Sequence, residues 1–380
     1  MDRRQFLRSS SAIAGGLVGA TAMTGEAVAA PSATLPPRSA VLSSMRLVND
    51  YWIGGHANPG DNKWARAAYF GGNMAAYRVT GVSRYLRYAR RWGQQNNFAL
   101  NGGVSTRNAD NQCAGQTYYD LYDIDADPSY LTAINESVRL MTYGTDTSNT
   151  DWWWVDALHM AMPSFVRVSR YRGDPAYLDK MEALYRYTKE QISGVGLYNP
   201  TDRLWFRDSK YIWPSGSMSV SPNGAKVYWS RGNGWALAAH AKVLGLLPAG
   251  DARAPFYAEN LRSVADALRV VQRSDGFWNV NLADPLQWPG PETSGTAFFT
   301  FGLAYGVRAG LLDAATYLPV VARAWNGMVA TAVRTDGFLG YVQGVGQSPD
   351  SSQPVTANST ADFGVGAFLL AGSEVAQLST

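Results

Sequence analysis

Asp275-Gly276-Phe277-Trp278 is a tight turn followed by two aromatic side chains. The chain repeats it as Asp336-Gly337-Phe338-Leu339 and, in weaker form, as Asp202-Arg203-Leu204-Trp205. Each copy follows a helical stretch. Their spacing implies helical hairpins of roughly 60 residues, a length that two helices and two loops of ordinary size fill. From about residue 40 onward the pattern is helical. Apolar and small residues recur at helical spacing over 64–79, 85–98, 115–122, 128–141, 152–171, 175–191, 234–247, 254–272, 296–309, 316–333 and 362–377. Segments rich in Gly, Pro, Asn and Asp divide them. Asp127 stands where it caps the helix that opens at Pro128. Long apolar/polar alternations are few, so strands are a minor component. About six hairpins fill the chain. A closed ring of hairpins buries its inner apolar faces without end caps. The expected fold is therefore all-α, an (α/α)6 toroid, with an open helical solenoid as the alternative. The polar stretch 348–358 reads as a loop rather than a boundary, so residues 31–380 are expected to form one domain.

Composition narrows the function. The 380 residues include 33 Lys and Arg against 30 Asp and Glu, a net charge of +3. That is too little for a dedicated nucleic-acid binder with a clustered basic face. A single cysteine, Cys113, excludes an intrachain disulfide framework and a Cys-rich metal site. Three histidines leave little material for His-based chemistry, so no metal and no cofactor are expected. The 13 Trp, 21 Tyr and 13 Phe describe a globular protein with aromatic-lined surfaces. The tryptophans gather in 152–154, 205–235 and 278–288, the segments expected to surround a ligand.

Residues 1–30 read as an address. Arg3-Arg4-Gln5-Phe6-Leu7 is a twin-arginine pattern, an apolar run over 12–22 follows, and Ala27-Val28-Ala29 is a small-residue cleavage site. The apolar run is too short for a membrane span, which needs about 20 residues. Export to the periplasm or medium of a bacterium is the expectation, without a membrane anchor.

Four segments carry candidate chemistry. In Trp152-Trp153-Trp154-Val155-Asp156-Ala157-Leu158-His159-Met160, a helix puts Trp152, Asp156 and His159 on one face and Val155, Leu158, Met162 and Phe165 on the other. A carboxylate among tryptophans is either a desolvated proton donor or a hydrogen-bonded core residue. Asp110, in Asn108-Ala109-Asp110-Asn111-Gln112, precedes a helix and is either functional or an Asx-type cap. In Trp229-Ser230-Arg231-Gly232-Asn233-Gly234-Trp235, a planar cationic fork sits between two indoles. That suits a sugar carboxylate, or equally an Arg stacked structurally on Trp. In Pro291-Glu292-Thr293-Ser294-Gly295-Thr296, hydroxyls open a helix. They either bind sugar or cap amides.

Together these motifs resemble the unsaturated rhamnogalacturonyl hydrolases of glycoside hydrolase family 105 and the unsaturated glucuronyl hydrolases of family 88. The matching pieces are residues 154–160, 229–235, 291–297 and the turn 275–278. The resemblance implies an (α/α)6 toroid that removes a 4,5-unsaturated uronic acid from the non-reducing end of lyase-generated oligosaccharides. It implies that Asp156 protonates C4 of the vinyl ether and helps water add at C5, with Asp110 assisting. It implies that Trp229, Arg231 and Trp235 line the uronate subsite, with Trp154, His159, Thr293 and Ser294 beside them. One carboxylate then suffices, unlike the flanking pair of ordinary glycosidases. Many relatives carry a His between the aspartate helix and the arginine motif. This chain reads Leu204-Trp205-Phe206-Arg207-Asp208-Ser209, so Arg207 or Asp208 is expected in its place. The expected partner is an oligosaccharide, and the expected state a monomer or weak homo-oligomer. A conventional exo-glycosidase on saturated uronates and a non-catalytic carbohydrate-binding protein are the other readings.

Overall fold

The inner layer of the fold is made of α2 (Trp64–Thr80), α5 (Ala114–Asp125), α7 (Ala157–Arg172), α9 (Ser230–Leu246), α11 (Thr293–Arg308) and α13 (Asp362–Leu378). Each packs on the next, and α13 packs on α2, which closes the ring. Outside lie α1 (Arg38–Gly55), α3 (Ser83–Gln95), α6 (Thr132–Tyr143), α8 (Ala176–Arg186), α10 (Ala254–Val270) and α12 (Ala314–Thr331). A single turn, α4 (Ala109–Gln112), leads into α5. The chain alternates outer and inner helices six times, so the expected (α/α)6 toroid is the fold and the open solenoid is excluded. The computed structural model describes residues 30–380. The export signal read at 1–30 therefore lies, Ala30 apart, outside the described residues. No helix among them is long and apolar enough to cross a membrane.

Sequence explains the two layers. Outer helix α3 buries one stripe, Tyr85, Leu86, Tyr88, Ala89 and Trp92, and turns Arg84, Arg87 and Arg91 to solvent. Inner helices α11 and α13 are apolar or small all round and are buried almost throughout, as a helix without a polar face must be. Small residues set the approach of α13 to α2, where the ring closes: a Cβ on Gly72 would meet the carbonyl oxygen of Gly366 at 2.2 Å.

The repeated turn has a physical basis. Its second residue takes a positive φ in all three copies, at Arg203 (59°), Gly276 (86°) and Gly337 (98°). The Asp carboxylate accepts the N–H two residues on, from Phe277 at 3.1 Å and from Phe338 at 3.0 Å. A Cβ at position 276 would lie 2.2 Å from the Arg323 carbonyl oxygen. Gly276→Ala is therefore expected to cost more than about 1 kcal/mol and to lower Tm in a thermal melt. An unchanged Tm would mean that the turn relaxes freely.

Several helices start elsewhere than the periodicity suggests. The helix expected from Trp152 begins only at Ala157, because Trp152–Asp156 is irregular. Trp152 thus does not share a helix face with Asp156. Helices α9 and α11 begin earlier than expected, so Arg231 and Thr293 sit in first helical turns rather than in loops. The stretch 175–191 ends its α-helix at Arg186 and continues as one wider turn. Among the described residues, strands are limited to β1 (Tyr198–Asn199) paired antiparallel with β2 (Leu204–Trp205). Every inner helix follows an outer one, so all six run the same way. Their N-terminal ends meet at one mouth, crowned by the long loops 195–229, 271–292 and 332–361.

Candidate active site

Asp156 stands at that mouth, immediately before α7. Its irregular segment is anchored from two sides. The Val155 N–H donates to the Arg207 carbonyl at 2.9 Å, and the Thr188 hydroxyl donates to the Trp152 carbonyl at 2.5 Å. The Asp156 side chain is buried, and among the described residues its Oδ2 has no hydrogen-bond partner. Arg207 Nε lies 3.5 Å from that oxygen, and Arg207 Nη1 donates to Asp208 Oδ2 at 2.7 Å. The Arg207 guanidinium also lies 5.7 Å from the ring of Trp153, which is 51% exposed. Of the two residues expected in place of a histidine, Arg207 faces Asp156 and Asp208 is its counter-ion.

The electrostatics follow from burial and from these charges. Burial pushes the Asp156 carboxyl above its ordinary range, against the pull of Arg207 and Arg231. Burial and the neighbouring Asp156 charge raise Asp110 to about 7, with Arg207 opposing. For Arg207, burial acts downward, but Asp156 and Asp208 outweigh it and hold the guanidinium above its usual value. Asp110 is not the cap of its helix. That role belongs to Asn108, whose side chain accepts the Asp110 N–H at 2.8 Å. Because the folded pKa of Asp110 is raised, its contribution to stability is full below about 4 and is lost as pH rises through about 7. Asp110→Asn removes that loss. Its Tm should gain on the wild-type Tm more at pH 8 than at pH 5, and an equal difference at both values would contradict the shift.

Arg231 is buried more deeply than a free fork would be. Its Nη1 and Nη2 donate to the carbonyls of Gln343 (2.6 Å) and Gly344 (2.9 Å). Its plane is stacked between Trp229 at 4.3 Å and Phe363 at 4.7 Å. Burial lowers its pKa to about 10, and the charges of Glu292 and Asp156 partly offset that. Trp229 Nε1 donates to Gln343 Oε1 at 2.8 Å. The whole motif thus locks the 343–344 loop segment against the mouth, and its positive charge reaches Asp156.

The hydroxyls of the fourth segment are spent inside the protein. Glu292 accepts Ser294 N–H (2.8 Å), Ser294 O–H (2.6 Å), Gly295 N–H (2.7 Å) and Gln343 N–H (3.1 Å). Thr293 donates to the Gly340 carbonyl at 2.9 Å. Thr293 and Ser294 are wholly buried, and the hydroxyls of both are engaged within the protein, as the capping alternative expects. Two further residues of the expected subsite, Trp235 and His159, are buried as well. Trp235 packs on His159 (4.7 Å) and Phe298 (4.1 Å), and His159 is buried beneath Asp156.

The tryptophan-rich segments divide in the same way. Trp152, Trp205 and Trp278 are core residues, set against Phe165, Tyr185 and Phe299. Trp154 is also buried, against Trp153 at 4.7 Å. The exposed indoles are Trp153, Trp213 and Trp288. The structure therefore brings together Asp156, Asp110 and Arg207, with Arg231 as a nearby charge. Asp208 joins them as the counter-ion of Arg207, and the structure adds Trp153, Glu292 and Gln343, which sequence reading did not place in the site.

Residues 41–379 match the family model described as Glycosyl Hydrolase Family 88. The chain is 33% identical over 329 residues to the "Unsaturated 3S-rhamnoglycuronyl hydrolase" of Formosa agariphila, covering 83% of this chain and 84% of that protein. A solved structure described as glycosyl hydrolase family 88 from Bacteroides vulgatus is 35% identical, with a TM-score of 0.83 over 90% of this chain and 99% of its own. Another, described as a polysaccharide lyase, is 36% identical, with a TM-score of 0.82 over 90% and 98%. The family match runs through all six hairpins and includes the mouth that holds Asp156. The chain belongs to Glycosyl Hydrolase Family 88, one of the two families its motifs resemble.

Proposed function

We propose that this enzyme removes a 4,5-unsaturated uronate from the non-reducing end of lyase-generated oligosaccharides, with Asp156 as proton donor. The observation that carries the reading is the buried Asp156 carboxyl. Its pKa is raised, its Oδ2 has no hydrogen-bond partner among the described residues, and Arg207 and Arg231 supply positive charge around it. A protonated carboxyl is what a vinyl ether needs at C4 near neutral pH. Protonation leaves an oxocarbenium ion at C5. Water adds there and returns a proton to Asp156. The resulting hemiketal opens, and C1 then releases the neighbouring sugar. Asp110 helps to hold the water, and the arginine charges balance the uronate. Trp153, exposed and next to Arg207, is the stacking platform for the sugar.

The relatives' names support rhamnose as the neighbouring sugar. The twin-arginine pattern at Arg3-Arg4 supports export. The test is the ultraviolet absorbance of the conjugated enol ether during incubation with lyase-treated ulvan, pectic or glycosaminoglycan fragments. Loss of absorbance with monosaccharide release is expected. A lyase would make absorbance grow, and a conventional glycosidase would act on a saturated glucuronide. Either result would replace this reading.

A further inference from the structure

Beneath Asp156, α7 contains a proline whose consequence can be followed through four residues. In an α-helix the carbonyl of His159 takes the N–H of residue 163, but that residue is Pro163 and has none. Gln116 on α5 supplies the missing donor. Its Nε2 lies 2.8 Å from the His159 carbonyl and 3.1 Å from that of Met160. With its amide nitrogen so engaged, the Gln116 Oε1 must face the other way, and there it accepts from Lys242 Nζ at 2.9 Å. The same ammonium lies 3.3 Å from His159 Nε2. A protonated lysine donates and cannot accept, so Nε2 must hold the lone pair. A neutral imidazole with a bare Nε2 carries its hydrogen on Nδ1. His159 Nδ1 is buried and has no partner among the described residues. One helical turn toward the N-terminus on the same face is Asp156, whose Oδ2 also lacks a hydrogen-bond partner.

We infer that Pro163, Gln116 and Lys242 are positioning residues that fix His159 as the neutral Nδ1–H tautomer, which donates to an oxygen of the bound uronate or of the water beside it. The ligand half of this inference rests on the proposed function; the tautomer half does not. Charge states agree with it. Burial, with the Lys242 charge added, lowers the His159 pKa well below its ordinary value, and burial lowers Lys242 to about 8. At pH 7 the lysine is thus mostly charged and the imidazole neutral. Lys242 and Gln116 also line a 460 Å³ cavity at the opposite mouth of the ring, which gives the ammonium access to water.

The chain has only three histidines, so long-range ¹H–¹⁵N spectra of histidine-labelled enzyme are readable. The His159 signals are assigned by their loss in His159→Asn. Wild-type enzyme at pH 7 should show Nδ1 protonated and Nε2 bare. A protonated Nε2, alone or together with Nδ1, would overturn the tautomer half. Saturating the inactive Asp156→Asn enzyme with unsaturated disaccharide should shift the His159 Nδ1 resonance, and no shift on demonstrated binding would overturn the ligand half. Lys242→Met should raise KM roughly five- to tenfold with kcat within about twofold, as expected for one lost binding hydrogen bond. A folded variant with unchanged KM would also count against it. Wild-type turnover of the same disaccharide is measured separately, so failure of the function is seen apart from failure of the tautomer.

Discussion

Asp156→Asn should lower kcat by about 10³–10⁴, the upper range for a group that acts as acid and then as base, while the protein stays folded. The separation of the two effects comes from the environment of the side chain. Among the described residues its Oδ2 has no hydrogen-bond partner; Arg207 Nε lies 3.5 Å away, and that guanidinium pairs through Nη1 with Asp208. An amide of nearly the same shape removes the proton but little packing. Burial already disfavours the charged form, so the neutral side chain should leave Tm unchanged or slightly higher. Steady-state kinetics and a thermal melt on the same preparation check this. Substantial residual turnover would move the proton donor to Asp110, whose carboxyl is raised to about 7.

Arg207→Gln should have the second-largest effect, a loss of roughly a hundredfold in kcat/KM together with a displaced pH profile. The direction follows from the charges. Arg207 opposes the upward shift of Asp156, so its removal raises the Asp156 pKa further. The active form is the protonated one. The basic limb of the profile, where that proton is lost, should therefore move to higher pH; a move to lower pH would mean that Arg207 does not act on Asp156. Stability should fall as well, by about 3 kcal/mol, because the buried Asp208 carboxylate loses its cation. Adding Asp208→Asn should restore much of the Tm but not the original pH profile.

What could be read from the chain depended on how locally each feature is determined. The recurring turn is local: an Asp side chain bonds the N–H two residues on, and a residue of positive φ lies between. It therefore showed in the sequence and led to the ring. The position of Asp156 was also legible, since the run Trp154–Met160 marks the start of α7. Burial was not, because it depends on helices that meet only in the closed ring. Trp152 and Trp153 are neighbours in an irregular segment, where no period decides which one faces out; one packs on Phe165 and the other is half exposed. Thr293 and Ser294 looked equally fit for sugar or for capping. The nearby Glu292 carboxylate and the Gly340 carbonyl decided for the interior. Arg231 met acceptors on a distant loop, at Gln343 and Gly344, that no local pattern announces.

The central claim is hydration of the sugar double bond through Asp156. It is tested most directly by running the reaction in D₂O on a lyase-generated disaccharide while absorbance and products are followed together. Hydration predicts that absorbance falls in step with release of the neighbouring sugar, that one deuteron appears at C4 on a single face, and that Asp156→Asn shows neither change. Release of the neighbouring sugar ahead of the absorbance loss, with deuterium on both faces of C4, would contradict the account, because it would mean cleavage at C1 followed by uncatalysed rearrangement.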